Sequence, residues 1–230
     1  MKHRLFFPLA VAAVLIACSS TAFTQQETAS GENNEKKAEL QGTVDKAAVA
    51  VREFRGQEDV EALLARASGV IIYPNILKGA FVFGGEGGTG VLLSRSDESG
   101  WSSPAFITYG AASFGLQAGV ESATVLMIIM NDKTLQRFAN GEVELGAGIS
   151  VAAGQGVKGK PLTTDKLSDV YYFARAKGAF AGLDLKGGVN QPRNGLNADY
   201  YGEEASTPAI VIDRTITTDD AEALQEALSS

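Results

Sequence analysis

This chain of 230 residues contains one cysteine and one histidine. His3 and Cys18 both precede residue 19, so residues 19–230 have no imidazole and no thiol. Serine and cysteine nucleophiles usually need a histidine base, and structural or catalytic zinc sites draw on His or Cys. One cysteine also excludes an intrachain disulfide. We therefore predict no catalytic residues, no metal site and no cofactor, and expect the protein not to be an enzyme.

Long apolar runs are also scarce. The run Leu5–Ala17 is shorter than the ~20 residues that a spanning helix needs, and Lys2 and Arg4 precede it, as in a secretory signal peptide. The four residues ending at Cys18, Leu-Ile-Ala-Cys, resemble the lipobox of bacterial lipoproteins. The resemblance implies that residues 1–17 are removed and that Cys18 is lipidated. The alternative is an ordinary signal peptide, cut near Ala22, that takes Cys18 with it.

The remaining chain divides into a short polar segment and one domain. Residues 18–35 are rich in Ser, Thr, Gln, Glu and Asn, and we predict a flexible tether there. Residues 36–230 have the length of one large domain. With Cys18 as anchor and Ser19 after it, we expect an exported protein, attached to the outer membrane and facing the periplasm or the cell surface.

Two patterns of hydrophobic spacing indicate the fold. Apolar residues from Leu40 to Phe54 recur at three- and four-residue steps, which predicts a helix, and a second helix is predicted over 58–67. These helices either cover a sheet or present an amphipathic face to a membrane. A helix capped by Asn131 or Asp132 is predicted over 133–139, and one capped by Thr218 over 219–228.

Short apolar segments bounded by glycine predict strands between the helices. Of 26 glycines, all but Gly31 and Gly42 follow residue 55. We predict an α+β fold: a glycine-rich antiparallel sheet or partly closed barrel, covered by N-terminal helices and a C-terminal helix. The predicted strands are 69–73, 80–83, 90–93, 101–109, 123–130, 142–153, 170–176, 180–189 and 198–201.

The net charge of −7 is unevenly distributed and argues against a nucleic-acid ligand. Residues 199–230 hold eight carboxylates against Arg214, whereas residues 151–195 hold seven bases against three carboxylates. A basic segment therefore precedes an acidic one, and we expect the bases to attract an anionic ligand. The candidate lipid head-group ligands are Lys78, Lys158, Lys160, Arg175, Lys177 and Lys186.

Two glycine motifs match nucleotide-binding patterns without the required context. Gly85–Gly90 fits G-x-G-x-x-G, but an apolar strand follows where a helix should begin, so we predict a glycine hairpin. Gly154–Lys160 fits G-x-x-x-x-G-K, but Pro161 replaces the magnesium-binding Ser or Thr. We predict a loop there, whose lysines and amides bind phosphate at most weakly.

The sequence Lys-Gly-Ala-Phe occurs twice, from Lys78 and from Lys177. Either the repeat supplies two equivalent turns with core phenylalanines, or the two lysines converge on one anion. The adjacent carboxylates Asp97/Glu98 and Glu203/Glu204 are predicted to lie on solvated turns.

The strand region resembles the SYLF domain, a lipid-binding module also described in fungi as actin-binding. The similar segments are 67–74, 78–81, 84–85, 88–92, 100–104, 115–119, 145–153, 177–182 and 200–202. With the preceding helices the resemblance covers about residues 40–230. It implies a single α+β domain without known catalytic activity, and a lipid as ligand in its eukaryotic members.

Three functions are weighed. The first is a membrane-anchored envelope lipoprotein whose domain binds anionic phospholipid head groups or a related amphiphile. The second is a protein-interaction or structural module of the envelope without a lipid ligand. The third, the least supported, is a carboxylate-dependent hydrolase, which requires two facing acids in a cleft.

Overall fold

The computed structural model describes residues 20–80, 83–114, 119–154, 168–177 and 185–230. Within these ranges a curled sheet is covered by helices on both faces. The predicted α+β class is confirmed, with an N-terminal and a C-terminal helix against the sheet. Cys18, Lys158 and Lys160 lie outside the described residues.

The helices are α1 (Ser20–Phe54), α2 (Glu58–Leu64), α3 (Asp132–Asn140), α4 (Asn194–Tyr201), α5 (Thr207–Val211) and α6 (Glu222–Ser229). The side chain of Asn131 accepts a hydrogen bond from the Thr134 amide and caps α3. The side chain of Thr218 caps a 3₁₀ turn, Asp219–Ala221, that leads into α6. Both predicted caps are confirmed.

Among the described residues nine strands form the sheet: β1 (Gly69–Ala80), β2 (Phe83–Ser96), β3 (Gly100–Trp101), β4 (Ala105–Phe114), β5 (Gly119–Ile129), β6 (Val143–Glu144), β7 (Val151–Ala153), β8 (Val170–Lys177) and β9 (Val189–Pro192). Their order is β6-β9-β4-β2-β1-β5-β8-β7, and β3 pairs with β2. All pairs are antiparallel except β7 with β8, which is parallel.

The sheet separates two apolar cores. One core joins α1, α2 and α6 to the sheet face that carries Ile72, Leu126 and Phe173. The other joins α3 and α5 to the opposite face, around Tyr73 and Met127. The predicted apolar face of α1, from Leu40 to Phe54, lies in the first core. This helix therefore covers the sheet, and its apolar face is not presented to a membrane.

A hairpin is predicted for the glycine run 85–90, and this prediction is wrong. The run is part of β2, which pairs with β1 and β4. The reason lies in β1, whose register shifts between Ile72 and Leu77, so that its backbone presses toward β2. A Cβ on Gly88 would overlap the carbonyl oxygen of Asn75. These glycines therefore admit a bulge in the neighbouring strand.

Other predictions are corrected by tertiary contacts. Residues 198–201, predicted as a strand, belong to α4, which buries Asn197 and Tyr200. The predicted strand 142–153 is broken into β6 and β7, because Gly146 and Gly148 adopt positive φ angles between them. The backbone of residues 20–35 is helical and continuous with α1, and the tether predicted over residues 18–35 stays a prediction. The domain boundary at residue 36 stays a prediction.

Candidate functional site

The described carboxylates do not assemble into a metal centre. No cluster of three His, Cys, Asp or Glu side chains with ligand geometry occurs within the described ranges. Asp97/Glu98 and Glu203/Glu204 lie on exposed turns, as predicted. No helix in the part of the chain with described structure combines the length and apolar content needed to cross a membrane.

Three of the predicted head-group ligands lie at one end of the sheet, on two strands that flank β5. In the register, Lys78 pairs with Glu121, Lys177 with Ser122, and Arg175 with Thr124. Two strand spacings separate β1 from β8, so the Cα atoms of Lys78 and Lys177 are about 10 Å apart.

The register nevertheless distinguishes the two lysines. Lys78 lies in a row between Glu86 on β2 and Glu121 on β5. Lys177 lies in the adjacent row, where the nearest positions are Ser122 and Leu77, and neither is a carboxylate. Adjacent rows of a sheet alternate between its two faces. The register therefore does not favour one anion shared by Lys78 and Lys177.

The row of Lys177 contributes to an exposed surface, which we call the Leu77 face. It consists of Leu77, Ser122, Thr124, Arg175 and the strand position of Lys177. Leu77 is 48% exposed, a high value for a strand leucine, because its row neighbours Gly87 and Ser122 are small.

Arg175 marks the boundary between the Leu77 face and helix α1. Its guanidinium lies over the ring of Phe54, 5.5 Å from the ring centroid, at the C-terminal end of α1. The side chain is exposed on its outer side. Thr124 Oγ1 donates a hydrogen bond to the Pro74 carbonyl oxygen at 3.0 Å, which holds β5 against the bulge of β1. The Leu77 face therefore begins where α1 stops covering the sheet.

Lys186 lies elsewhere. It is in a turn where the Gly187 amide donates to the Leu145 carbonyl at 2.8 Å and the Leu145 amide to the Gly188 carbonyl at 2.9 Å. This turn leads into β9, which is separated from β8 in the strand order by β4, β2, β1 and β5. The predicted set of cations therefore splits into a group at one sheet end and a separate lysine.

The acidic C-terminal region contacts the N-terminal helix. Lys36 Nζ lies 2.6 Å from Asp199 Oδ2, and Lys37 Nζ lies 3.5 Å from Asp220 Oδ2. The hydroxyl of Tyr200 donates to Gln41. Part of the negative charge of this region is therefore balanced by α1.

Sequence analysis missed two arginine-lined clefts that border the end of β2. The larger of these two, of about 410 Å³, lies between α2, the end of β2 and the C-terminal end of α6. Its arginines are engaged: Arg55 Nη2 lies 3.0 Å from Glu61 Oε2, and Arg95 Nη1 donates to the Ala65 carbonyl at 2.5 Å. The smaller, of about 230 Å³, lies between the end of β2, α3 and the end of α5. No local motif reveals these clefts, because their residues are far apart in the chain.

Comparison with known proteins identifies relatives by sequence. A family model described as "Ysc84: Las17-binding protein actin regulator" matches residues 110–230. Protein YSC84 of Saccharomyces cerevisiae is 29% identical over 213 residues, which are 87% of this chain and 45% of that protein. The SH3 domain-containing YSC84-like protein 1 of Homo sapiens is 27% identical over 210 residues, 86% of this chain and 61% of that protein.

LAS seventeen-binding protein 3 of Saccharomyces cerevisiae is 29% identical over 157 residues, 66% of this chain and 34% of that protein. The chain thus spans about half the length of the curated relatives it matches. No solved structure matches the chain.

Proposed function

Because the chain belongs to the Ysc84 family, to which its SYLF resemblance pointed, we propose that it is a non-catalytic binding domain for anionic lipid head groups. The observation that carries the proposal is the Leu77 face, where an exposed leucine lies in the same sheet row as Lys177 and close to Arg175. The family is described as a regulator that binds a protein, and that description names no reaction.

An exposed apolar side chain beside cations suits a membrane interface. The leucine gains by leaving water, and the cations remain at the level of the head groups. A basic residue near an anionic surface contributes about 1 kcal/mol. Lys177 and Arg175 together would therefore contribute about 2 kcal/mol, or roughly thirtyfold in affinity.

Helix α1 does not supply this contact in the described structure, because its apolar face lies in the core. Lys78 contributes less to the proposal than Lys177, because Glu86 and Glu121 flank it in the register. Lys158 and Lys160 stay predictions.

Vesicle flotation tests the proposal. The protein is a Cys18→Ser chain starting at residue 18, so that neither an acyl group nor the apolar segment 5–17 contributes. We expect it to float with phosphatidylglycerol vesicles at low salt, and not with phosphatidylcholine vesicles. Arg175→Gln combined with Lys177→Gln should weaken binding roughly thirtyfold. Lys186→Gln removes the same type of charge at a distant site and is the matched control.

A second variant separates the apolar contribution from the charge. Leu77→Ser should weaken binding without changing its salt dependence, since it removes no charge. Equal flotation with both vesicle types, no flotation, or equal losses in the Lys186→Gln control would contradict the proposal.

Protein binding is the second candidate function, favoured by the names of relatives such as LAS seventeen-binding protein 3. A protein partner of this chain would be recovered in stoichiometric amount by affinity purification from the native membrane extract. Recovery of one such partner, together with absence of vesicle binding, would select this function over the first.

We further propose that Cys18 carries the membrane anchor of an exported protein, on the strength of the Leu-Ile-Ala-Cys sequence that ends at Cys18. Mass spectrometry of the protein extracted from its own membranes should find a chain beginning at residue 18 with acyl groups on the cysteine. A chain that begins near residue 23, without acyl groups, would refute the anchor and leave the binding function untouched.

A further inference from the structure

Arg214 has an unusual backbone conformation. Its φ angle is +53°. Among the residues that the structure describes, Arg214 is the one residue other than glycine with a positive φ angle. For an L-residue with a long side chain this region costs about 1–2 kcal/mol. Arg214 lies shortly after the end of α5 at Val211, and its guanidinium makes its contacts at β2 and β3.

The guanidinium of Arg214 is held by neutral groups. Nη1 donates to Ser99 Oγ at 2.5 Å and to the Gly100 carbonyl oxygen at 3.1 Å, and Nη2 donates to Ser94 Oγ at 3.0 Å. The ion pairs of the described residues do not include it. A guanidinium has five N–H donors, so these three contacts leave donor capacity. Burial lowers the pKa of Arg214 from its ordinary value.

The small cleft of about 230 Å³ is bordered by this guanidinium. Its lining residues with polar groups are Ser94, Arg95, Ser96, Asp132, Gln136 and Arg214. The Arg95 guanidinium does not face this cleft, because it donates to the Ala65 carbonyl and lies near Asp97, on the sheet face that α2 covers. Asp132 is the carboxylate among the described lining residues, and Arg214 is the cation that faces the cleft.

We propose that this cleft binds a single oxyanion group, a phosphate or a carboxylate, at the guanidinium of Arg214. Planar guanidinium groups match the paired oxygens of both groups and form charge-assisted hydrogen bonds with them. The serine hydroxyls hold Arg214 in place before the anion arrives, so little side-chain freedom is lost on binding. The oxyanion supplies the negative charge that the half-buried Arg214 lacks.

The oxyanion cleft is separate from the proposed lipid surface. The cleft lies at the end of β2 that contains Ser94 and Ser96, where β1 begins at Gly69. The Leu77 face lies at the other end of β1. Vesicle binding through Arg175 and Lys177 and oxyanion binding through Arg214 can therefore succeed or fail separately.

The test is a nuclear magnetic resonance titration of the full chain with inorganic phosphate and, separately, with succinate. We expect the Arg214 Nε–Hε signal to shift and to saturate in the millimolar range with at least one of the two anions. Arg214→Gln identifies the signal and should abolish the response. Because that change also removes three hydrogen bonds, a second variant is needed that leaves Arg214 in place.

Gln136→Glu is that variant. Gln136 is exposed on α3 and lines the cleft, so the change adds a carboxylate without removing a contact of Arg214. It should weaken anion binding at least tenfold. Arg193→Gln, which removes an exposed positive charge outside the cleft, should leave binding unchanged. Absence of saturation with both anions, or equal affinity in the Gln136→Glu variant, would overturn the proposal.

A further arm separates the two sources of a phosphate group. Short-chain phosphatidic acid is titrated beside inorganic phosphate, with short-chain phosphatidylcholine as control. A response to inorganic phosphate or succinate alone identifies a small free anion, and a response that includes phosphatidic acid identifies a head group. A response to phosphatidylcholine equal to that of phosphatidic acid would contradict oxyanion recognition.

Discussion

The carbonyl oxygen of Ile72 occupies the space that a Cβ atom on Gly90 would need. Strands β1 and β2 approach closely there, because the register of β1 shifts just after Ile72. We therefore expect Gly90→Ala to lower the free energy of unfolding by about 1–3 kcal/mol, the usual cost of overpacking. Urea denaturation measures it. Gly110→Ala, on β4 with open space around its Cβ position, is the control and should change stability by much less.

The carboxylate of Asp169 joins three segments. It accepts hydrogen bonds from the Ser150 amide and hydroxyl, each at 2.8 Å, and from Asn131 Nδ2 at 3.0 Å. The Ser150 amide is the main cause of a lowered pKa at Asp169, and burial opposes it. Because the folded pKa lies below the unfolded value of about 3.9, the carboxylate stabilises the fold above about pH 4. This stabilisation is lost as pH falls through the folded pKa.

The measurement is urea denaturation of wild type and Asp169→Asn between pH 2 and pH 7. The difference in free energy of unfolding should be largest near neutral pH and should shrink toward the acid end. A difference that stays constant over this range would show that ionisation of Asp169 does not contribute to stability.

Helix α1 is predicted to be held by its apolar face rather than by its ion pairs. Phe54 is buried between α1 and β8, beneath Arg175. Phe54→Ala should cost about 3–5 kcal/mol of unfolding free energy. Lys36→Gln removes a partly exposed pair with Asp199 and should cost less than about 1 kcal/mol, with the loss vanishing at high salt. Comparable losses in both variants would contradict this assignment.

Tyr73 and Asn190 form a buried hydrogen bond of 2.8 Å between β1 and β9. Both side chains are fully buried, and burial raises the pKa of Tyr73 well above its ordinary value. Tyr73→Phe leaves the Asn190 oxygen without this donor and should cost about 1–3 kcal/mol. A double-mutant cycle with Asn190→Ala should give a coupling energy above about 0.5 kcal/mol. Strict additivity would show that the bond does not contribute.

Local patterns predicted the elements whose signals are local. The spacing from Leu40 to Phe54 predicted α1, and Asn131 predicted the start of α3, because helical periodicity and capping depend on neighbouring residues. The strand prediction for residues 198–201 was wrong because tyrosine-rich segments favour strands by propensity. The burial of Asn197, which donates to Thr207 Oγ1 at 2.9 Å, decides for a helix there.

The candidate site was predicted in part. Basic residues near 175–177 were identified from the charge pattern, and the structure brings Arg175 and Lys177 to one sheet end with Leu77. The exposure of Leu77 had no signal in the sequence, because it follows from Gly87 and Ser122 in neighbouring strands. The arginine clefts had no signal in the sequence either, because their walls are formed by strands and helices that are distant in the chain.

By itself the sequence determined the helices with clear periodicity, the family, and the lack of imidazole and thiol after residue 18, because each is a property of residue identity and short-range order. Tertiary structure alone decided which strands are neighbours, and hence that Lys78 lies between two glutamates while Lys177 does not. It also decided that Arg214 faces a cleft without an ion-pair partner among the described residues. Strand register and helix docking fix these relationships, and both depend on contacts between residues far apart in the chain.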